Sequence, residues 1–317
     1  MATDRQRVEG AMLEAVRTPD AYLTEIASHL INAGGKRLRP VMTIVASQIG
    51  TNPHAAPATD DAIQGGIACE LVHLGSLYHD DVMDEAETRR GVETVNAKWG
   101  NLQAILAGDF LLARASEIAA SLGTEVAALL ARTIGRLCEG QIEELRHTYD
   151  MKRPVESYLL SIEGKTASLY STSARIGGLV AGYDSAVVTA LTDYGTAYGM
   201  VFQIVDDILD IISTDSELGK PAGHDMVEGV YTLPVLATLA AGGAAADELA
   251  VMLGQPLDAT QQKRALDIVR AGNGVQAAVD MANDYVAKAE AACNAMPQND
   301  ATQALRDAAA ALLNSIR

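Results

Sequence analysis

His79-Asp80-Asp81-Val82-Met83-Asp84 closes a long apolar stretch, and its pattern returns as Val205-Asp206-Asp207-Ile208-Leu209-Asp210. In a helix the first and last aspartates of each copy lie one turn apart on one face, with the middle one about 100° round. Each copy presents a carboxylate cluster. Val205, Ile208, Leu209, Ile211 and Ile212 surround the second, so these carboxylates ride on helices built for burial, where unpaired charge is costly. A cation between them resolves that conflict. Oxygen-rich sites of this kind suit Mg²⁺, which keeps its waters and shares itself between one or two carboxylates and a substrate phosphate. The two motifs therefore point to diphosphate chemistry.

Composition bounds the rest. The chain has 317 residues, helical patterning throughout and no linker-like gap, so it reads as one large all-α domain, 1–317. It is Ala-rich, with few aromatics and no alternating strand-like runs, which favours helices packed through small side chains. A formal net charge of -17 argues against a nucleic-acid partner, because a phosphate backbone requires a basic face. Cys69, Cys138 and Cys293 are widely spaced within helical patterns and read as core residues, with neither disulfide nor zinc spacing. No signal-peptide layout and no apolar run of membrane-spanning length is present, so the expected location is the cytoplasm.

Basic residues gather near the acidic motifs. Gly34-Gly35 ends a helix over 21–33, Lys36-Arg37-Leu38-Arg39 follows, and Pro40 opens the next helix, which Gly50 closes. That places the basic tetrad in a loop at a helix N-terminus, a natural anion site. After Thr51 to Thr59, a turn, Asp60 or Asp61 can cap the helix that runs to Asp84. Its small residues Gly65, Gly66, Ala68, Gly75 and Ser76 fit either close packing against a neighbour or the wall of a channel leading away from the carboxylates. Ser76 and His73 share the face of Asp80.

Beyond Asp84, the polar loop Glu85 to Gly91 can return Arg89 and Arg90 over the cluster, and paired arginines suit phosphate oxygens. In the helix over 124–147, Glu139, Glu143 and Glu144 are assigned to a solvated face. Gly164-Lys165-Thr166 interrupts the helical region over 154–181 and could reach a cavity. Residues 213–230 form a Gly-rich, charged loop containing Lys220 and Asp225, a candidate lid.

Taken in order, Gly34-Gly35-Lys36-Arg37-Leu38-Arg39-Pro40, the first acidic motif with Arg89-Arg90-Gly91, Gly164-Lys165-Thr166, and Phe202-Gln203 before the second acidic motif resemble the trans-isoprenyl diphosphate synthases over about residues 20–235. The resemblance implies an all-α bundle around a central cavity, homodimeric, that condenses an allylic prenyl diphosphate with isopentenyl diphosphate. It implies that Asp80, Asp84 and Asp206, assisted by Asp81 and Asp210, hold Mg²⁺ against the allylic diphosphate, which Arg89 also binds. Lys36, Arg39, His73 and Arg90 match positions that hold isopentenyl diphosphate. Lys165, Thr166, Gln203 and Lys220 match positions around the allylic group and its leaving diphosphate. The chain departs from the pattern at Val230, where a lysine is common, at Glu93, where proline is usual, and in a leader shorter than is typical.

Product length is read from the same helix. In the family, bulky aromatics four or five residues before the first motif block the tunnel, and here those positions are Ser76 and Gly75. From Ser76 back to Gly65 the helix spans about 16 Å, with Val72, Cys69 and Ala68 and no aromatic plug. The expected product is a long-chain polyprenyl diphosphate, such as a quinone side-chain precursor. The alternatives are a short-chain synthase, a non-catalytic regulatory subunit, which commonly loses one acidic motif, and a phosphohydrolase, which needs no channel.

Overall fold

The computed structural model describes residues 2–50, 57–214 and 222–316. Its helices are α1 (Ala2–Ala15), α2 (Ala21–Asn32), α3 (Leu38–Ser47), α4 (Asp60–Met83), α5 (Val95–Trp99), α6 (Asn101–Ser121), α7 (Thr124–Arg146), α8 (Val155–Ile162), α9 (Ser168–Val180) and α10 (Ser185–Ile212). A π-helical turn, Glu163–Ala167, joins α8 to α9. Six more helices follow: α11 (His224–Val227), α12 (Leu233–Ala241), α13 (Gly243–Met252), α14 (Ala259–Ala271), α15 (Gly274–Asn294) and α16 (Asp300–Asn314). Among the described residues the extended structure is a two-residue hairpin after α4, in which β1 (Thr88–Arg89) pairs antiparallel with β2 (Val92–Glu93), Thr88 opposite Glu93. The all-α expectation holds.

Local chemistry explains the boundaries. Asp20 accepts hydrogen bonds from the Tyr22 and Leu23 amides and starts α2, and Asp258 closes a reciprocal capping box with Gln261 at α14. Helix α4 is capped by Thr59, whose hydroxyl accepts from the Ala62 amide. That corrects the expectation of an Asp60 or Asp61 cap: those carboxylates sit inside the first turn, where they complement the helix dipole. Helix α3 begins at Leu38, so Pro40 is its third residue, and Arg37 at its N-cap adopts a left-handed backbone with φ 53°.

The chain forms two compact units, each assembled from three stretches of sequence. The first comprises Met1–Ile134, Leu169–Gly195 and Asn294–Ala304. Helix α4 is its centre, with Ile67, Leu71, Val72, Leu74 and Tyr78 fully buried. Tyr78 turns away toward α2, donating its hydroxyl to the Ile26 carbonyl at 2.8 Å. Gly75 packs against α6: a Cβ there would meet the Gly108 carbonyl at 3.0 Å and Leu112 at 3.3 Å. At that position close packing, not open space, uses the missing side chain.

The second unit comprises Gly135–Ser168, Thr196–Cys293 and Leu305–Arg317. Its core gathers Tyr158 and Ile162 of α8, Met200, Ile204, Ile208 and Ile211 of α10, and apolar residues of α12 to α15. The apolar residues flanking the second acidic motif are thus core residues, as their pattern requires. Of the cysteines, Cys69 and Cys293 are buried, whereas Cys138 is exposed. The expectation of a buried Cys138 fails because α7 turns that side outward. Among the described residues no helix is long and apolar enough to cross a membrane.

Candidate functional site

In the first unit, the last two turns of α4 place three aspartates in different surroundings. Asp80 is half-buried and Asp84 exposed, while Asp81 is fully buried. Asp81 accepts a hydrogen bond from Arg89 Nε through one oxygen, and its other oxygen, Oδ2, has no partner. Burial raises its carboxyl above the ordinary range, opposed by Arg89. An unpaired buried carboxylate oxygen at a helix end that also carries Asp80 and Asp84 is the kind of oxygen that a hard cation accepts as one of its ligands.

The hairpin sets the arginines. Ala86 O accepts from Thr94 Oγ1 at 2.6 Å and from Asn96 Nδ2 at 3.0 Å, which fixes the base of the loop. Arg89 then reaches back to the acidic motif, but Arg90 does not: it donates to the carbonyls of Gly34 and, at 3.2 Å, Leu30. The structure separates two side chains that the sequence placed together over the cluster. Arg90 instead joins the end of α2, where its guanidinium and that of Arg37 both lie against Gly35.

Within the basic tetrad the roles also divide. Arg37 is only 2 % exposed and is consumed by Glu9 at 2.8 and 3.1 Å, Glu70 at 3.4 Å and the Ile31 carbonyl at 2.8 Å. It ties α1, α2 and α4 together, so it serves as an internal strut, not as part of an exposed anion site. Lys36 is exposed. Arg39 lies over the Tyr170 ring, 4.7 Å from its centre, with Nε unpartnered. His73 stands amid this charge; burial, and then Arg39, Arg90, Arg89 and Arg37, hold its imidazole well below its ordinary pKa and therefore neutral. Ser76 donates to the His73 carbonyl at 2.9 Å.

In the second unit the π turn presents Lys165 and Thr166. It forms where α7 crosses it at backbone distance: a Cβ on Gly164 would meet the Arg136 carbonyl at 2.8 Å and the Gly140 Cα at 2.9 Å. Such single-turn π bulges recur at functional sites because they re-aim side chains. Lys165 Nζ pairs with Glu144 at 2.7 Å. Glu143 accepts from Ser157 at 2.7 Å. The solvated-face assignment of Glu143 and Glu144 is therefore wrong, since both turn toward α8 and the π turn and Glu144 is 14 % exposed.

Thr166 donates to Gln203 Oε1 at 2.8 Å, and Gln203 Nε2 donates to Asp207 Oδ1 at 2.8 Å. Tyr158 donates to Asp207 Oδ2 at 2.5 Å. Asp206 is exposed and Asp210 buried. The middle aspartate is turned into the core, as its position 100° round the helix dictates. Lys220 lies outside the described residues. Among those described, no three His, Cys, Asp or Glu side chains stand close enough to hold an ion by themselves. Glu144, Tyr158 and Asp207 were missed by the sequence reading; only the i, i+4 spacing of Gln203 and Asp207 hinted at any of them.

An all-α frame in which each unit sets aspartates at a helix end near cationic side chains defines an enzyme class that handles anionic, phosphorylated substrates. The polyprenyl synthetase profile matches residues 20–269, and the chain belongs to that family. It is 42 % identical over 300 residues to nonaprenyl diphosphate synthase of Mycobacterium tuberculosis, covering 94 % of this chain and 88 % of the relative. It is 37 % identical to heptaprenyl diphosphate synthase component 2 of Geobacillus stearothermophilus, covering 98 % and 95 %. A polyprenyl synthase from Caulobacter crescentus, solved with calcium and isoprenyl diphosphate, superposes with a TM-score of 0.91 at 34 % identity over 98 % of this chain and 94 % of that one. The protein is a prenyltransferase.

Proposed function

We propose that this prenyltransferase adds isopentenyl diphosphate head to tail to an allylic diphosphate with Mg²⁺, and releases a long-chain all-trans polyprenyl diphosphate of the kind used as a quinone side chain. Chain length rests on Ser76, a small half-buried residue one turn before Asp80 where an aromatic would end the tunnel. The relative named nonaprenyl diphosphate synthase supports the same reading.

Asp80, Asp84 and Asp206, assisted by Asp81 and Asp210, hold the metal, which supplies charge neutralisation and orientation of the allylic diphosphate when bound. Arg89, anchored on Asp81, adds a cation to that diphosphate. Lys36, Arg39 and Arg90 bind isopentenyl diphosphate, with neutral His73 as a hydrogen-bonding partner. Lys165 and Lys220 receive charge developing on the leaving diphosphate, and Thr166 and Gln203 flank the allylic group. Apolar walls exclude water from the allylic cation, so the alkene of the second substrate captures it. Ser76 sets the level at which the tunnel passes, whereas Gly75, expected beside it, is packed against α6.

The enzyme is a single all-α domain, 1–317, and works in the cytoplasm as a homodimer. That each compact unit is assembled from three separate stretches of the chain supports the first point, and the exposed face of α6 bearing Leu102, Ile105 and Leu106 supports the dimer.

The test is incubation with Mg²⁺, labelled isopentenyl diphosphate and allylic primers of one to four isoprene units, followed by sizing of the dephosphorylated products. Products well beyond four units support the long-chain reading. Products that stop at three or four units retain the chemistry and overturn the tunnel argument. The relative named as a component 2 gives weight to a second reading, a subunit that acts with a partner, and absence of elongation by the purified chain would bring it forward.

A further inference from the structure

We propose that Glu9 and Arg37 are positioning residues for isopentenyl diphosphate: their ion pair holds residue 37 in a left-handed backbone that fixes the direction of Lys36 relative to Arg39. The inference rests on the reading that Lys36 and Arg39 bind that substrate. Its starting point is the way α3 begins. An N-cap residue normally has an extended backbone and a short side chain that accepts from the first turn, as Asp20, Thr59 and Asp258 do with φ of -85°, -64° and -77°. Arg37 caps α3 with φ 53° and ψ 42° and makes no side-chain cap bond. That conformation is costly for a residue with a Cβ and persists only where the surroundings hold it.

The side chain is what holds it. Glu9 on α1 accepts from Arg37 Nε at 2.8 Å and from Nη2 at 3.1 Å, a two-pronged grip on the guanidinium. The Ile31 carbonyl and Glu70 accept from it as well. Nearby residues with positive φ have local reasons for it. Gly34 and Gly35, at 84° and 150°, are glycines, and Arg90 with Gly91, at 54° and 76°, forms the two-residue turn of the β1–β2 hairpin. Arg37 has no such reason. Its torsions connect Lys36, before the helix, to Arg39 in the first turn of α3. Returning φ to the range of the other N-caps would swing Lys36 by more than a right angle relative to Arg39. Arg5, one turn before Glu9 on α1, donates to the Gly35 carbonyl at 3.3 Å, so α1 grips the chain on both sides of Lys36.

Glu9→Gln keeps the size of the side chain and removes its charge and one of its acceptors. The expected result is a rise of about tenfold in KM for isopentenyl diphosphate, the scale set by one strained backbone residue, with kcat and KM for the allylic primer little changed. The Glu9 side chain is 37 % exposed, so the variant should fold. A strut that only braces α1 predicts equal changes in KM for both substrates, or none.

The second arm compares Arg37→Gly with Arg37→Ala, each in a Glu70→Gln background, because Glu70 is 2 % exposed and loss of Arg37 would otherwise strand its charge. Both variants lose the ion pair, but glycine enters the left-handed region freely and alanine does not. Arg37→Gly should therefore keep KM for isopentenyl diphosphate several-fold lower than Arg37→Ala does. If neither folds, the Glu9→Gln result decides. An unchanged KM for isopentenyl diphosphate in Glu9→Gln, an equal rise for both substrates, or equal KM values in the glycine and alanine variants would overturn the proposal while the wild-type condensation stands. A wild-type protein that condenses no primer would instead remove the functional reading beneath it.

Discussion

Gly75 and Ser76 are adjacent small residues with different uses. Gly75 gives its space to the α6 backbone, whereas Ser76 is half-buried and bonded only locally, to the His73 carbonyl. Ser76→Phe is therefore the substitution expected to shorten the product without loosening α4 from α6, and product sizing against wild type checks it. An unchanged length would mean that the tunnel does not pass this level. His73 carries a prediction about pH. Its folded pKa lies well below 6.5, so the unfolded chain takes up a proton that the folded chain refuses as pH falls below about 6.5. Stability from this group is complete above that pH and is lost as acid approaches the folded value. His73→Gln should remove that dependence, so its urea midpoint, relative to wild type, should rise between about pH 8 and about pH 5.

The element that decides the second half of the proposed site is the π turn, not a loop. It exists at a crossing where Gly140 and Gly164 bring α7 into backbone contact with it, and that approach also delivers Glu144 to Lys165. Gly164→Ala puts a Cβ 2.8 Å from the Arg136 carbonyl. Backbone cannot yield as a flexible side chain would, so the crossing opens at a cost of about 1–3 kcal/mol. Chemical denaturation should show the loss, and kcat should fall as Lys165 and Thr166 shift. A variant as stable and active as wild type would show that the turn tolerates displacement. The hairpin β1–β2 works comparably in the first unit: its short register sends Arg89 toward Asp81 and Arg90 toward Gly34.

At the scale of the whole molecule, the apolar surface of α6 leads to the proposed homodimer. Leu102 and Leu106 are 74 % and 66 % exposed, although the helix otherwise buries its apolar face in the first unit. Leu106→Glu would set a charge in the contact between copies and should convert dimer to monomer by light scattering. A variant that remains dimeric would place the interface elsewhere. The strongly negative formal charge makes an added carboxylate there unfavourable for association and harmless to solubility.

The sequence by itself determined the helical class, the two carboxylate motifs and their faces, and the family resemblance carried by their order. These depend on spacing within one helix or one loop, where geometry is set by 3.6 residues per turn. Tertiary structure alone decided which member of each charged group is a strut. Arg37 and Arg39 are two residues apart, yet one is spent on Glu9 and Glu70 and the other lies over Tyr170 with an unpartnered Nε. Likewise Glu144 reads as surface until α7 meets the π turn, and Tyr158 meets Asp207 across 49 residues of chain. Such partnerships arise when separate helices pack to bury their apolar faces, and no local periodicity encodes which polar side chains that packing brings together.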